Sequence, residues 1–231
     1  MAYKRTEVYK DSNNKKPKEL FIWLLEKLTQ KKPDAASILD VGAASGAFLE
    51  FIGNRLPYPK LVGIEYDAEL VKAGKENELT FELKEGDANK LLEQTSSFDV
   101  VFMTGTHSIF PDFRASFHEC IRVASNGGVV FVTGIFNDFP VDAQIQWKYA
   151  SKDMDWQDGY NLFSKKSVGD FLNSVPTVKN YEFEKFEIAL DLDPQPDPIR
   201  SWTRINHEGK RELLNGLMPL NIELLTIDIG E

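Results

Sequence analysis

Cysteine is all but missing from this 231-residue chain, where Cys120 stands alone. One cysteine excludes an internal disulfide and a thiolate-held zinc cluster. It falls in Pro111 to Ser125, a stretch patterned as an amphipathic helix, near Phe113, Phe117 and Ile121, and reads as a buried, inert thiol. Histidine is scarce too, with only His107, His118 and His207, and no His–Asp cluster has metal-ligand spacing, so no metal is expected. No run of about 18 apolar residues occurs, which argues against a membrane-spanning helix. The opening Met-Ala-Tyr-Lys-Arg runs into charged residues rather than an apolar signal region, so the expected compartment is the cytoplasm, with no membrane partner. Positive charge is in deficit: 27 Lys and Arg face 36 Asp and Glu, for a net charge of −9. A duplex nucleic-acid binder needs a basic face, so no nucleic-acid partner is expected. The clearest basic cluster, Lys10, Lys15, Lys16 and Lys18, reads as part of a solvated arm.

What is present is the material of one folded domain. Hydrophobic residues make up 42 %, charged residues 27 %, and the sixteen Phe and four Trp can fill a core or wall a pocket. Residues 1–16 are polar and read as a flexible arm, in which Tyr3 and Tyr9 would suit a lid. Pro17 to Gln30 carries Leu20, Phe21, Trp23, Leu24, Leu25 and Leu28 close to helical spacing. An alternation follows. Strands are expected at Ser37–Val41, Lys60–Glu65, Thr80–Glu85, Phe98–Thr104 and Gly128–Gly134, with helices at Ala47–Arg55, Ala68–Asn77 and Pro111–Ser125 between them. This is the pattern of a parallel sheet covered on both faces. Beyond Gly134 the aromatic segment 135–163 breaks the pattern. Ser164 to Ser174 reads as a helix with Ser164 as its N-cap, Tyr181 to Leu192 as a strand, Asp193 to Pro198 as loop, and Leu220 to Ile229 as a last strand. The fold class is α/β: a Rossmann-like, seven-stranded, mostly parallel sheet with one antiparallel edge strand in a three-layer α/β/α sandwich. Residues 17–134 form its ligand-binding core, and 135–163 and 193–216 form insertions on the substrate side.

The chemistry concentrates where strands end. In Asp40-Val41-Gly42-Ala43-Ala44-Ser45-Gly46 a strand feeds a tight turn and then a helix, and the small residues let backbone approach a ligand. Glu65 ends the second strand, where a carboxylate can accept from both hydroxyls of a ribose. Asp87 follows the third strand in Gly86-Asp87-Ala88, where it could accept from an exocyclic amine. Asp67 suits a helix cap, and Asp99, at the start of its strand, suits a structural role.

These segments resemble, in order over roughly residues 35 to 135, the class I S-adenosylmethionine-dependent methyltransferases. Asp40 to Gly46 resembles that family's first motif, an acid-x-Gly-x-Gly-x-Gly loop, and Gly63-Ile64-Glu65-Tyr66-Asp67 its second. Gly86-Asp87-Ala88 is similar to the third, Phe98-Asp99-Val100-Val101-Phe102 to the fourth strand, and Arg122-Val123 with Asn126-Gly127-Gly128 to the passage before the fifth. The resemblance implies S-adenosylmethionine as cofactor and S-adenosylhomocysteine as product. It implies that Asp40 lies near the methionine amino group, that Glu65 holds the ribose, and that Asp87 faces the adenine amine. It also implies that Thr104, Gly105, Thr106 and His107 line the cofactor and substrate side. Ala44 replaces the motif's middle glycine, which a negative φ would accommodate in a slightly wider loop.

Methyl transfer from a sulfonium is an in-line displacement in which the protein mainly positions and desolvates the acceptor. His107 is the candidate base should the acceptor need one, with packing against the loop as the competing reading. Trp147, Tyr149, Trp156 and Tyr160 could wall an apolar or sugar-binding pocket, and Arg200 and Arg204 near Trp202 could take an anionic group. The expected acceptor is a small molecule. A non-catalytic scaffold of the same fold and a protein or nucleic-acid methyltransferase are the alternatives. An NAD-dependent oxidoreductase explains neither Asp40 nor Gly86-Asp87.

Overall fold

The computed structural model describes residues 18–230 apart from 58, 77, 78, 151, 152, 195, 196 and 198. The expected arm, with Tyr3 and Tyr9, lies outside the described residues. Helix α1 (Glu19–Lys31) buries Leu24 and Leu28, and the Lys32 N–H closes its last turn on the Leu28 carbonyl. There follow β1 (Ser37–Val41), α2 (Ala47–Gly53), β2 (Lys60–Glu65), α3 (Ala68–Lys75), β3 (Glu82–Glu85), β4 (Phe98–Thr104), a short 3₁₀ turn (His107–Ile109), α4 (Arg114–Val123) and β5 (Ala124–Asn137). The second half supplies the two-residue strands β6 (Gln146–Trp147), β7 (Gln157–Asp158) and β8 (Phe163–Ser164), then α5 (Lys165–Asn173), β9 (Val178–Lys185), β10 (Trp202–Ile205), β11 (Arg211–Leu214) and β12 (Ile222–Ile229). No described helix is long and apolar enough to cross a membrane.

The strands order as β3-β2-β1-β4-β5-β12-β9, with β8 on the end of β5. Strands β1 to β5 pair in parallel. The antiparallel strand expected toward this side of the sheet is β12, which inserts between β5 and the outermost strand β9. Side chains alternate across each strand, so each strand feeds two cores. Ile38, Val100, Phe102, Val129, Phe131 and Leu224 meet α1 and α2, whereas Leu39, Val41, Val101, Met103, Val130 and Leu225 meet α4 and α5. Both faces of β4 are buried because helices cover both, which explains its near-continuous apolar sequence.

The second half departs from expectation in places. The ninth strand spans Val178–Lys185 rather than Tyr181–Leu192, and β5 starts before its Gly127-Gly128 turn, with a register shift there. Within the expected loop 193–216 lies a hairpin: Trp202 pairs with Leu214 and Thr203 with Leu213 across the Asn206–Lys210 turn. Asn206 Oδ1 accepts from the N–H groups of Glu208 and Lys210 at 2.9 Å each, which closes that turn. Segment 135–163 is tied down by Asn161, which is 3 % exposed. Its Oδ1 accepts from Ile145 N at 3.1 Å, and its Nδ2 donates to Phe110 O at 2.6 Å. Expected caps form as read: Asp67 accepts from Glu69 N on α3, and Ser164 from Ser167 N on α5.

Asp99 fastens the base of the sheet. One carboxylate oxygen accepts from Ala36 N, Ser37 N and Ser37 Oγ at 2.8 to 3.0 Å, joining β4 to the start of β1. Burial raises its pKa, but these donors and Lys32 outweigh burial and leave it below the usual carboxylate value. A depressed acid stabilises the fold above its unfolded pKa, and this stability is lost as pH falls through the lower folded value. Asp99→Ala is therefore expected to cost about 1–3 kcal/mol at pH 7, read by urea denaturation, with the deficit shrinking toward pH 3.

Candidate functional site

The C-terminal ends of β1, β2 and β4 meet where the first turn leaves the sheet. Asp40 sits opposite Gly63 of β2 and Phe102 of β4, on the face covered by α1 and α2. It is 3 % exposed, and its Oδ1 has no hydrogen-bond partner among the described residues. Burial, helped by the nearby Glu65 charge, pushes its carboxyl up to about 7. Glu65 is tied instead to backbone: Oε2 accepts from Ala44 N at 2.9 Å and Oε1 from Asp67 N at 2.8 Å. One acid is thus left with an open acceptor, and the other holds the turn in shape.

The turn is left-handed at three places. Gly42 has φ +82°, Gly46 φ +87° and Ala44 φ +51°. A Cβ on Gly42 would run into the Thr106 side chain, so glycine is required by contact as well as by φ. Ala44 corrects the expectation of a negative φ: its N–H points to Glu65, and the chain accepts about 1–2 kcal/mol of left-handed strain to hold that bond.

The remaining expected cofactor-side residues are placed as follows. Ala43 and Ser45 are buried within the turn, and Tyr66 is 69 % exposed beside Glu65. Gly86 N donates to Glu65 O at 2.9 Å, joining the ends of β3 and β2. Asp87 is exposed and accepts from Asn89 N at 2.8 Å, while Ala88 is buried. Thr104 lies two residues beyond Phe102, on Asp40's face, and Gly105 turns the chain so that Thr106 covers Gly42. The Thr104 hydroxyl is buried without a partner, and so is that of Thr133, its register neighbour on β5. Thr133 was missed by sequence reasoning; its signal is a hydroxyl closing the apolar run Val129–Val132 level with Thr104.

His107 requires correction. It is 0 % exposed, stacks on Phe136 at 4.8 Å and 11°, and lies near Phe117 and Phe163. Its Nε2 is 3.4 Å from Ile135 O, and its ring fills the space where Gly134 lacks a side chain. Burial lowers its pKa to about 4, with the Ile135 carbonyl opposing weakly. A ring sealed in the core and stacked on Phe136 packs the fold, so the structure supports the competing reading of His107 as a packing residue. His118 projects outward from α4, and His207 is exposed in the β10–β11 turn.

On the expected substrate side, Trp147 is buried and meets Tyr149 edge-on at 5.6 Å, and Tyr149 OH donates to Asp197 at 2.9 Å. Trp156 is 58 % exposed, with Lys148 over its ring. Tyr160 is half-buried at φ +58°. Arg200 and Trp202 are half-buried, and Arg204, expected to take an anion, is paired with Glu212 at 3.1 Å. Cys120 is buried as expected; burial pushes its thiol up, with Glu119 and Asp40 adding to the effect.

Residues 38–128 match the sequence model of a family described as a methyltransferase domain. Among curated proteins, none matches the sequence. In fold the chain is similar to the PH0226 protein of Pyrococcus horikoshii, at 14 % identity and TM-score 0.64, covering 96 % of this chain and 95 % of that one. It is similar to the YcgJ protein of Bacillus subtilis, at 14 % identity and TM-score 0.62, covering 93 % and 100 %. It also resembles CalS10, an amino pentose methyltransferase of Micromonospora echinaspora with S-adenosylmethionine bound, at 15 % identity and TM-score 0.60, covering 99 % and 98 %. In all, 1091 solved chains match, so the fold alone selects no acceptor.

Two substitutions test this reading of the site. Ala44→Gly relieves the left-handed strain but loosens the unfolded chain, for a net gain of about 0.5–1 kcal/mol, seen as a melting temperature raised by a few degrees. An acid whose pKa is raised on folding destabilises the fold increasingly from its unfolded value near 4 up to its folded value near 7. Asp40→Asn is therefore expected to be the more stable protein at pH 8, by about 2–4 kcal/mol, and to lose that advantage by pH 4. Urea denaturation at the two pH values reads it.

Proposed function

We propose that this chain, a class I S-adenosylmethionine-dependent methyltransferase by its domain and fold, acts as a single domain in the cytoplasm and methylates a small amine or hydroxyl acceptor held beside the segment joining β5 to β8. The carrying observation is Asp40, a buried acid with an unpartnered oxygen beside a turn of three left-handed residues. Such an orphaned acceptor fits the ammonium of the cofactor's methionine tail. S-adenosylmethionine supplies, when bound, an electrophilic methyl group on a leaving sulfur.

The chain's own residues do the rest. Asp40 takes the amino group. Glu65, fixed by two backbone donors, keeps lone pairs for the ribose hydroxyls, and Gly42 lets backbone come close to the ligand. Tyr66 offers an exposed ring beside the ribose, and Asp87 an acceptor for the adenine amine. The buried, unpartnered hydroxyls of Thr104, at the end of β4, and of Thr133, its neighbour on β5, are the groups nearest at hand for the acceptor side. With His107 in the core, no imidazole among the described residues serves as base. Positioning and desolvation then carry the reaction, which favours an amine that attacks uncharged and sheds its proton afterwards.

Charge supports a small acceptor over a polyanion. Lys27, Lys31, Lys165, Arg204 and Arg211 are each paired with an acid rather than gathered into a basic face.

Thermal unfolding with S-adenosylmethionine, S-adenosylhomocysteine and NADH tests the cofactor. The two adenosyl ligands at about 100 times Kd are expected to add about 2.7 kcal/mol and NADH nothing. Transfer of labelled methyl to a panel of amines and alcohols then tests the acceptor class. His107→Gln is expected to destabilise the fold by about 2–3 kcal/mol while leaving S-adenosylmethionine affinity within about twofold, as measured by titration calorimetry. A specific loss of catalysis in a stably folded variant would restore His107 as a base.

A further inference from the structure

Asp40 and Glu65 stand in one crevice with different surroundings. Glu65 spends both oxygens on backbone N–H groups, of Ala44 and Asp67. Asp40 has no donor on Oδ1 and almost no contact with water. The other groups around β1 do not neutralise it. On α4, Cys120 stays a neutral thiol and His118 points outward. After β4, His107 is neutral, and Asp99 is spent at the far end of β1. On α2, Glu50 is exposed, and just past its end Arg55 lies over Phe51. Asp67 caps α3, and Lys60 starts β2 at the opposite end from Glu65. Among the described residues, Glu65 is the charge that acts on Asp40, and it repels.

We propose that Asp40 holds a proton until the cofactor arrives and gives it up when the ligand's ammonium takes its place, so that this residue makes the site select an aminoacyl tail by exchanging one positive charge for another. The O–H bond of the Asp40 carboxyl breaks, the proton leaves to solvent, and an N–H of the ammonium takes over the freed oxygen. At Asp40 itself one positive charge replaces another, which avoids leaving two carboxylates side by side without a counter-charge. The inference rests on the cofactor assignment above and adds a proton to its binding equilibrium.

The folded value of about 7 sets the window. Below it the proton must be displaced, so affinity falls with pH; above about 8 the ligand's own amine loses its proton and affinity falls again. From pH 7.4 to pH 6 the Kd for S-adenosylhomocysteine should rise about fivefold, and by pH 5 about fiftyfold. Calorimetry in buffers of different ionisation enthalpy should count about 0.7–0.9 protons released per ligand between pH 6 and 6.5. 5′-Methylthioadenosine, which lacks the amino-acid tail, should bind with no proton release and no such slope. Asp40→Asn should lose the acid limb, and the wild-type proton count decides the matter should that variant fold poorly. A Kd equal at pH 6 and 7.4, with no proton released, would overturn the exchange while leaving the cofactor assignment intact. Absence of binding by both S-adenosylmethionine and S-adenosylhomocysteine at every pH would overturn both.

Discussion

Burying a carboxylate without a partner costs several kcal/mol, and a sequence keeps such a residue only where something other than folding requires it. Asp40 is that residue here. Around it, Gly63 and Phe102 supply close strand neighbours, Glu65 supplies a like charge, and the described chain supplies no cation. Both faces of β1 and β4 are covered by helices, which keeps these strands dry along their length. The stability lost at Asp40 is made up by two large apolar cores and by fasteners such as Asp99 at the other end of the same strand.

The turn after β1 follows the same logic at the level of backbone. Gly42 is closed off by Thr106, which reaches over from the end of β4, and Ala44 is bent so that its N–H meets Glu65. Three strands therefore fix one loop: β1 leads into it, β2 holds its amide, and β4 covers its glycine. A ligand entering here meets a surface whose shape is set before it arrives, which is the condition for binding without a large ordering cost.

Elements whose signal is local were legible in the sequence. The alternation of apolar runs and small-residue turns placed β1 to β5 and the helices between them, because each strand and each cap depends on residues within a few positions. Asp67 and Ser164 were recognisable as caps for the same reason. What was not legible depended on partners far along the chain. The pairing of Trp202 with Leu214 lies inside a segment punctuated like a loop, and the role of Asn161 requires Phe110 and Ile145 to be at hand. Whether Ala44 takes a positive φ depends on the Glu65 carboxylate, twenty-one residues away. Insertion of β12 between β5 and β9 has no local signature at all.

His107 shows most clearly how a correct position can carry the wrong chemistry. Its place in the chain, just after β4, is where a reaction centre would be built, and a histidine titrates near neutrality in water. The structure turns its ring inward onto Phe136 and against Gly134, a residue whose missing side chain makes room for it. The 3₁₀ turn is thereby anchored to β5, and Thr104 to Thr106, just before it in the chain, inherit their position from that anchor. The imidazole serves the site from behind, as a wedge between strand end and helix α4. What remains at the strand ends is a set of carboxylates and hydroxyls, those of Asp40, Glu65, Thr104 and Thr133. Under the function proposed above, an amine is the nucleophile such a set suits, because it brings its own lone pair and can leave its proton to water once the methyl group has moved.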